Sequence, residues 1–300
     1  MILRYFLCFF VLSLAIIPVP SSAAPRKKVV LSSFSVIGDI TKNIAKDLLQ
    51  LNILVKAGND SHSYQVTPSD AIKIQNADLI LFNGLHLEET FMKYFTNLKE
   101  GSKIVTVTDG VEPINISEDP NAGYGEPNPH AWMSLTNAMI YIENIRKALT
   151  ELDPDHAKEY KRNATEYANK LEREILPLKS KIDKIDPEKR WFVTSEGCLV
   201  YLAKDFGFKS LYLWPINSDS ERSPLKIRDV INKMRLYKIK YIFSESTNSD
   251  QPAKQVANDT NASYGGVLYV DSLSKPNGPA PTYLDLLKLS LTKITDTLSK

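Results

Sequence analysis

Short apolar, β-branched runs alternate with amphipathic stretches along most of this chain. Val29 to Phe34 predicts a strand, and Ile37 to Leu49, apolar at Ile37, Ile40, Ile44 and Leu48, predicts a helix. Leu51 to Val55, Leu79 to Phe82 and Ile104 to Val107 read as further strands, with helices over Pro68 to Ala77 and Leu85 to Phe95. The second half repeats the rhythm. Strands are predicted at Trp191 to Thr194, Leu211 to Leu213, Tyr241 to Ser244 and Val267 to Val270. Helices are predicted at Cys198 to Phe206, Pro224 to Leu236, Gln251 to Asn261 and Tyr283 to Leu298. Strand and helix in alternation imply an α/β fold of two lobes, each a mainly parallel sheet flanked by helices.

The segment between the lobes is different. From Pro154 to about Lys181 there is no Gly, and apolar residues at Ala157, Tyr160, Ala164, Tyr167, Ala168, Leu171 and Ile175 keep helical spacing. Asp153 before Pro154 reads as an N-cap followed by an N1 proline. A helix of that length spans about 35 Å, a domain diameter, and so reads as a rigid strut. Two helices broken at Pro177 are the alternative, because an interior proline ends or kinks a helix. The expected division is a signal segment 1–24, an N-terminal lobe 25–152, a linking helix 153–186 and a C-terminal lobe 187–300.

The first two dozen residues set the compartment. Met1 to Arg4 is a short, positively charged start, Tyr5 to Ile17 is almost wholly apolar, and Pro18 and Pro20 precede Ser21-Ser22-Ala23-Ala24. That order is the pattern of a cleaved secretory signal, with an uncleaved anchor as its alternative. Cys8 lies inside the apolar run, too early to become a lipid-modified first residue, and only Cys198 remains beyond it. No intramolecular disulfide follows, and a freely soluble periplasmic monomer is expected. The 37 basic residues nearly balance the 35 acidic ones, for a formal charge of +2. No broad basic surface for nucleic acid is implied.

Chemistry concentrates at loops and strand ends. Of the four histidines, His62 sits in Gly58-Asn59-Asp60-Ser61-His62-Ser63-Tyr64, just past a strand. His130 sits in Glu126-Pro127-Asn128-Pro129-His130-Ala131-Trp132, stiffened by two prolines and beside a tryptophan able to exclude solvent. His86, at a predicted helix start, and His156, in the strut's first turn, read as surface histidines. Three apolar strands end in carboxylates, at Glu196, Glu245 and Asp271. A dry, unpaired carboxylate is costly, so a bound cation or a hydrogen-bond network is implied. Helix N-capping is the plainer alternative for Glu245 and Asp271. Cys198 reads as buried packing.

The phrases His62-Ser63-Tyr64 with Pro68-Ser69-Asp70, Pro129-His130-Ala131-Trp132, Ser195-Glu196-Gly197 with Tyr201 and Phe206-Gly207, Phe243-Ser244-Glu245, and Val270-Asp271-Ser272-Leu273 occur in that order. Together they resemble the cluster A-I (cluster IX) solute-binding proteins of manganese, iron and zinc ABC importers, over essentially the whole chain beyond the signal segment. The resemblance implies one metal site between the lobes, with His62 and His130 from the first, Glu196 and Asp271 from the second, and Glu245 behind them. It also implies a membrane permease as partner, and a linking helix that limits opening. Ser61, where that family usually has proline, and Asn128, where it often has aspartate, depart from the pattern and bear on loop rigidity.

Two neutral imidazoles and two carboxylates cancel a +2 ion, and a carboxylate binding through both oxygens raises coordination above four. Relatives specialised for zinc carry histidine at the third position and a His-rich loop after the first ligand; this chain has Glu196 and no such loop. Manganese is therefore favoured over zinc, with iron as a further candidate. Ordinary histidines, at a pKa of about 6.5, predict affinity falling between about pH 7 and 5. The rival functions are a mononuclear metallohydrolase with Glu245 as base, which lacks any further nucleophile or oxyanion group, and an adhesin that keeps the binding fold.

Overall fold

The computed structural model describes residues 26–96, 98–116, 126–216 and 223–300. The expected signal segment 1–24, with Cys8, lies outside the described residues. The N-terminal lobe carries β1 (Val29–Phe34), α1 (Ser35–Ala45), β2 (Gln50–Val55), α2 (Pro68–Asn76), β3 (Leu79–Phe82), β4 (Lys103–Thr106) and α3 (Leu135–Leu152). After α4 (Ala157–Ile182), the C-terminal lobe carries β5 (Trp191–Glu196), α5 (Val200–Phe206), β6 (Lys209–Trp214), α6 (Pro224–Leu236), β7 (Tyr241–Glu245), α7 (Gln251–Thr260), β8 (Ser263–Leu268) and α8 (Tyr283–Leu298).

Both sheets are parallel and share one strand plan, β2-β1-β3-β4 in the first lobe and β6-β5-β7-β8 in the second. The inner strands explain the apolar runs, since every residue of β1 is buried and β5 is buried from Phe192 to Glu196. In each sheet the chain steps to opposite sides of the first strand, which opens a crevice at the carboxyl ends.

The strut is one helix. Pro177 lies inside α4, and the apolar stripe runs straight past it, with Tyr160, Ala164, Tyr167, Leu171, Ile175, Leu178 and Ile182 all buried. An interior proline costs about 3 kcal/mol. Burying each large apolar side chain returns about 1.5–3 kcal/mol, so two or three such contacts offset it. The helix packs on α1, α3 and α8, and its residues belong to one continuous apolar core that reaches into both lobes. Polar ties fix the join: Tyr167 Oη and the Tyr283 amide both donate to Asp39 Oδ2, at 3.1 and 3.0 Å. Asp153 and Pro154 take the N-cap and first positions as expected, but of a short 3₁₀ turn (Pro154–His156) leading into α4, and the Asp153 carboxylate bonds no backbone amide there. It accepts from Tyr160 Oη at 2.8 Å and pairs with His156 Nδ1 at 2.7 Å.

Two expectations about the elements need correction. Residues Leu85 to Phe95 form turns and a short 3₁₀ segment (Met92–Thr96) and not an α-helix. Gly84, Leu85 and His86 all have positive φ, and buried Glu88 accepts from the Asn83 and Gly84 amides at 2.7 and 3.0 Å, so a side chain replaces helical bonding. The last strand begins at Ser263, upstream of the expected Val267, with a bulge opposite Ile242 and Phe243. Gly265 is required there, because a Cβ would lie 2.3 Å from the Phe243 ring, and Gly266 has φ +98°. Helix α3, capped by Ser134 Oγ accepting from the Asn137 amide, was not anticipated.

Candidate metal centre

Two loops of the first lobe and two strand ends of the second meet at one point. His62 follows β2 in the turn-rich stretch after Val55, where its amide donates to Asp60 Oδ1 at 2.8 Å. His130 enters a 3₁₀ turn (Ala131–Met133) after Pro129. Glu196 is the last residue of β5, and Asp271 lies three residues past β8. Donor atoms of these four all lie within 4.8 Å of one another. His62 Nε2 is 3.1 Å from His130 Nε2 and 3.4 Å from Glu196 Oε1. His130 Nε2 is 3.3 Å from both Glu196 Oε1 and Asp271 Oδ1. Donors about 2.1 Å from a shared ion stand about 3.4 Å apart at tetrahedral angles, so these separations suit one cation.

The surroundings orient each donor. His130 Nδ1 is 2.8 Å from Asn128 Oδ1, an acceptor, so in the neutral ring the proton sits on Nδ1 and the Nε2 lone pair faces the other donors. The Trp132 ring stands 5.1 Å from the His130 ring, fully buried, and its Nε1 donates to the Val270 carbonyl at 3.0 Å. Thr247 Oγ1 donates to Asp271 Oδ2 at 2.7 Å, turning Oδ1 toward the imidazoles. Nothing in the sequence around Thr247 signalled that contact. His130, Glu196 and Asp271 are at most 1% exposed, and His62 is the one of the four with some access to solvent.

Burial and mutual charge shape the protonation. Burial, helped by the neighbouring His130 charge, pushes the His62 imidazole down to about 3. For His130 burial acts downward, but the Glu196 and Asp271 carboxylates outweigh it and raise the ring to about 10. Burial, with the Asp271 charge adding, raises Glu196 to about 8 despite His130. Asp271 is held below its usual range, because the bonds and charges from His130, His62 and Thr247 overcome its burial. The site thus retains protons that a cation must displace.

Glu245 is not among the converging donors. Its Oε1 accepts from the Ser195 and Glu196 amides at 3.0 and 3.3 Å, so it props the end of β5 from behind. Neither Glu245 nor Asp271 caps a helix. Cys198 is fully buried, its thiol 3.4 Å from the Glu196 carbonyl and outside the donor group. His86, placed at a helix start from sequence, sits in a left-handed turn, exposed and paired with Glu89. His156 pairs with Asp153.

Comparison with known proteins shows the family. A family model described as zinc-uptake complex component A, periplasmic, matches residues 30–297. The iron-binding protein YfeA of Yersinia pestis is 51% identical over 281 residues, 94% of this chain and 88% of its own. The manganese ABC transporter substrate-binding lipoprotein PsaA of Streptococcus pneumoniae is 37% identical, over 92% of this chain and 90% of its own. Among solved structures, a manganese-bound periplasmic metal-binding protein from Candidatus Liberibacter asiaticus is 78% identical with a TM-score of 0.86, covering 91% of this chain and all of that one. The periplasmic zinc-binding protein TroA of Treponema pallidum, 25% identical, superposes with a TM-score of 0.82 over 91% of this chain. By a family match over nearly its whole length and relatives well above 30% identity, this chain belongs to the zinc-uptake component A family, the cluster A-I periplasmic metal-binding proteins.

Proposed function

We propose that this protein captures one divalent transition metal ion, manganese foremost, and delivers it to the membrane permease of an ABC importer. The observation that carries the reading is the convergence of His62 and His130 from one lobe with Glu196 and Asp271 from the other. Two neutral imidazoles and two carboxylates neutralise a +2 ion and give it nitrogen and oxygen donors. The family is one of substrate-binding proteins and not of enzymes. Its named members include iron, manganese and zinc binders, so membership alone leaves the cargo open. Glu196 in place of a third imidazole favours manganese, since an oxygen donor able to bind through both atoms suits higher coordination.

On this reading the mature chain works in the periplasm as a monomer, after removal of 1–24, with lobes 25–152 and 187–300 about the linking helix 153–186. The hydrolase alternative needs Glu245 as a base. That carboxylate is fully buried and engaged with two backbone amides, which argues against it. The test is metal titration of the mature protein, purified without affinity-column metal, alongside alanine variants of the four ligands. One ion per chain, lost in each variant, is the expected result. Undiminished binding in the variants would overturn the assignment.

A further inference from the structure

One side-chain amide serves both lobes at the metal centre. Asn128 is 2% exposed, and its Oδ1 accepts twice from His130, from the ring Nδ1 at 2.8 Å and from the main-chain amide at 3.0 Å. Its Nδ2 donates across the cleft to the Gly197 carbonyl at 2.7 Å. The opposite amide orientation would set donor against donor at His130 and oxygen against oxygen at Gly197, so the chemistry fixes this one. The partners are themselves anchored. Asn128 donates its amide to the Ile114 carbonyl at 2.7 Å and accepts from Tyr201 Oη at 2.8 Å. Gly197 is packed so closely that a Cβ would stand 2.9 Å from the Pro215 carbonyl.

We infer that Asn128 is a positioning residue with two separable tasks: it holds His130 in the Nδ1–H tautomer, and it sets the spacing of His130 from Glu196 through Gly197. This rests on the reading of His130 and Glu196 as ligands. The link from one ligand to the other runs entirely through protein atoms, so their register does not depend on the ion they share. Aspartate could perform the first task and not the second. A carboxylate still accepts from His130, but it has no hydrogen for Gly197 and would face that carbonyl oxygen to oxygen. An asparagine here makes the donor spacing stiffer than an aspartate would, and metal release correspondingly slower.

The experiment compares wild type, N128D, N128A and H130A, each checked for fold by circular dichroism. Manganese and zinc dissociation is followed by stopped flow with a competing chelator, and the His130 tautomer by nitrogen-15 NMR of the zinc-bound protein, in which the ring is neutral. N128D should keep the Nδ1–H tautomer yet release metal at least tenfold faster. N128A should lose both the tautomer and the slow release, with affinity down by about 10–100-fold, the usual range for partners that orient ligands. Wild-type release rates in N128D would overturn the bridging task. A retained tautomer and affinity in N128A would overturn the other. N128A buries no new charge, and if N128D does not fold, wild-type release and affinity in N128A would overturn both tasks. Unchanged affinity in H130A would instead sink the ligand reading, and is thereby told apart.

Discussion

The Trp132 indole donates to the Val270 carbonyl at 3.0 Å, joining the residue two beyond His130 to the residue just before Asp271. The candidate ligands His130 and Asp271 are thus tied together by a contact between the lobes. Gly58, four residues before His62, adds another, its amide donating to the Leu273 carbonyl at 3.0 Å and to Ser272 Oγ at 2.8 Å. Trp132→Phe keeps most of the apolar bulk and removes the indole donor. A buried carbonyl left without its partner costs about 1–3 kcal/mol. The variant should unfold at lower denaturant and bind metal about tenfold more weakly. Wild-type values for both would show that the contact does not position the ligands.

His130→Ala should lower divalent metal affinity severely, by at least a hundredfold, while circular dichroism stays unchanged. The ring lies among donors, and its removal leaves a polar gap. His86→Ala should change nothing, because that side chain is exposed and paired only with Glu89. Equal losses from the two would sink the ligand assignment.

The fold was legible where local pattern and tertiary role coincide. Tyr283–Leu298 matches its expected bounds because its apolar spacing, its Thr282 cap and its burial agree, and Pro224–Leu236 matches because a proline at its start marks the boundary. Leu85 to Phe95 failed because its helical spacing serves a different purpose. Leu87, Phe91 and Phe95 are buried by a chain of turns that Glu88 organises, and no local rule foresees a buried carboxylate doing so. The four converging residues stood out as loop histidines and strand-end carboxylates, whereas Thr247 is an ordinary threonine until β7 and β8 bring it beside Asp271.

Glu245 separates transport from hydrolysis. Burial, with the Glu196 and Asp271 charges adding, pushes its carboxyl well above the usual range, which favours the neutral form. Glutamine has the same shape, keeps the acceptor for the Ser195 and Glu196 amides, and should leave metal affinity within about threefold of wild type. Alanine would strand two backbone donors and should cost about 1–3 kcal/mol in unfolding free energy for each. A large affinity loss in Glu245→Gln would require a charged Glu245 and revise its role.

Metal binding should release protons at neutral pH. His62, held down near 3, is already neutral, so it does not limit binding across the working range. His130 is raised to about 10 and Glu196 to about 8, so both carry protons at pH 7 that the cation must displace. Affinity should rise with pH through about 8 and continue upward toward 10. That places the rise above the window expected for ordinary histidines, in the same direction. Calorimetry in buffers of different ionisation enthalpy should count between one and two protons released at pH 7. A count of zero, with affinity flat from pH 6 to 9, would argue that these groups do not bind the metal.

Metal choice should turn on Glu196. Its Oε1 stands 3.4 Å from His62 Nε2 and 3.3 Å from His130 Nε2, so a histidine in its place would bring a third imidazole to the group. The substitution removes a negative charge and exchanges an oxygen donor able to use both atoms for a fixed nitrogen. Manganese prefers oxygen and higher coordination, whereas zinc accepts imidazole in a tetrahedral set. Glu196→His should therefore weaken manganese binding by at least tenfold more than zinc binding. Wild type should still bind zinc at least as tightly as manganese in vitro, as the general order of divalent affinities requires. Preference in the cell then depends on metal supply and on which complex the permease unloads. The measurement is a pair of competition titrations, manganese and zinc, on wild type and variant. Manganese affinity unchanged or improved by the histidine would mean that Glu196 does not discriminate. The manganese assignment would then rest only on the missing His-rich loop.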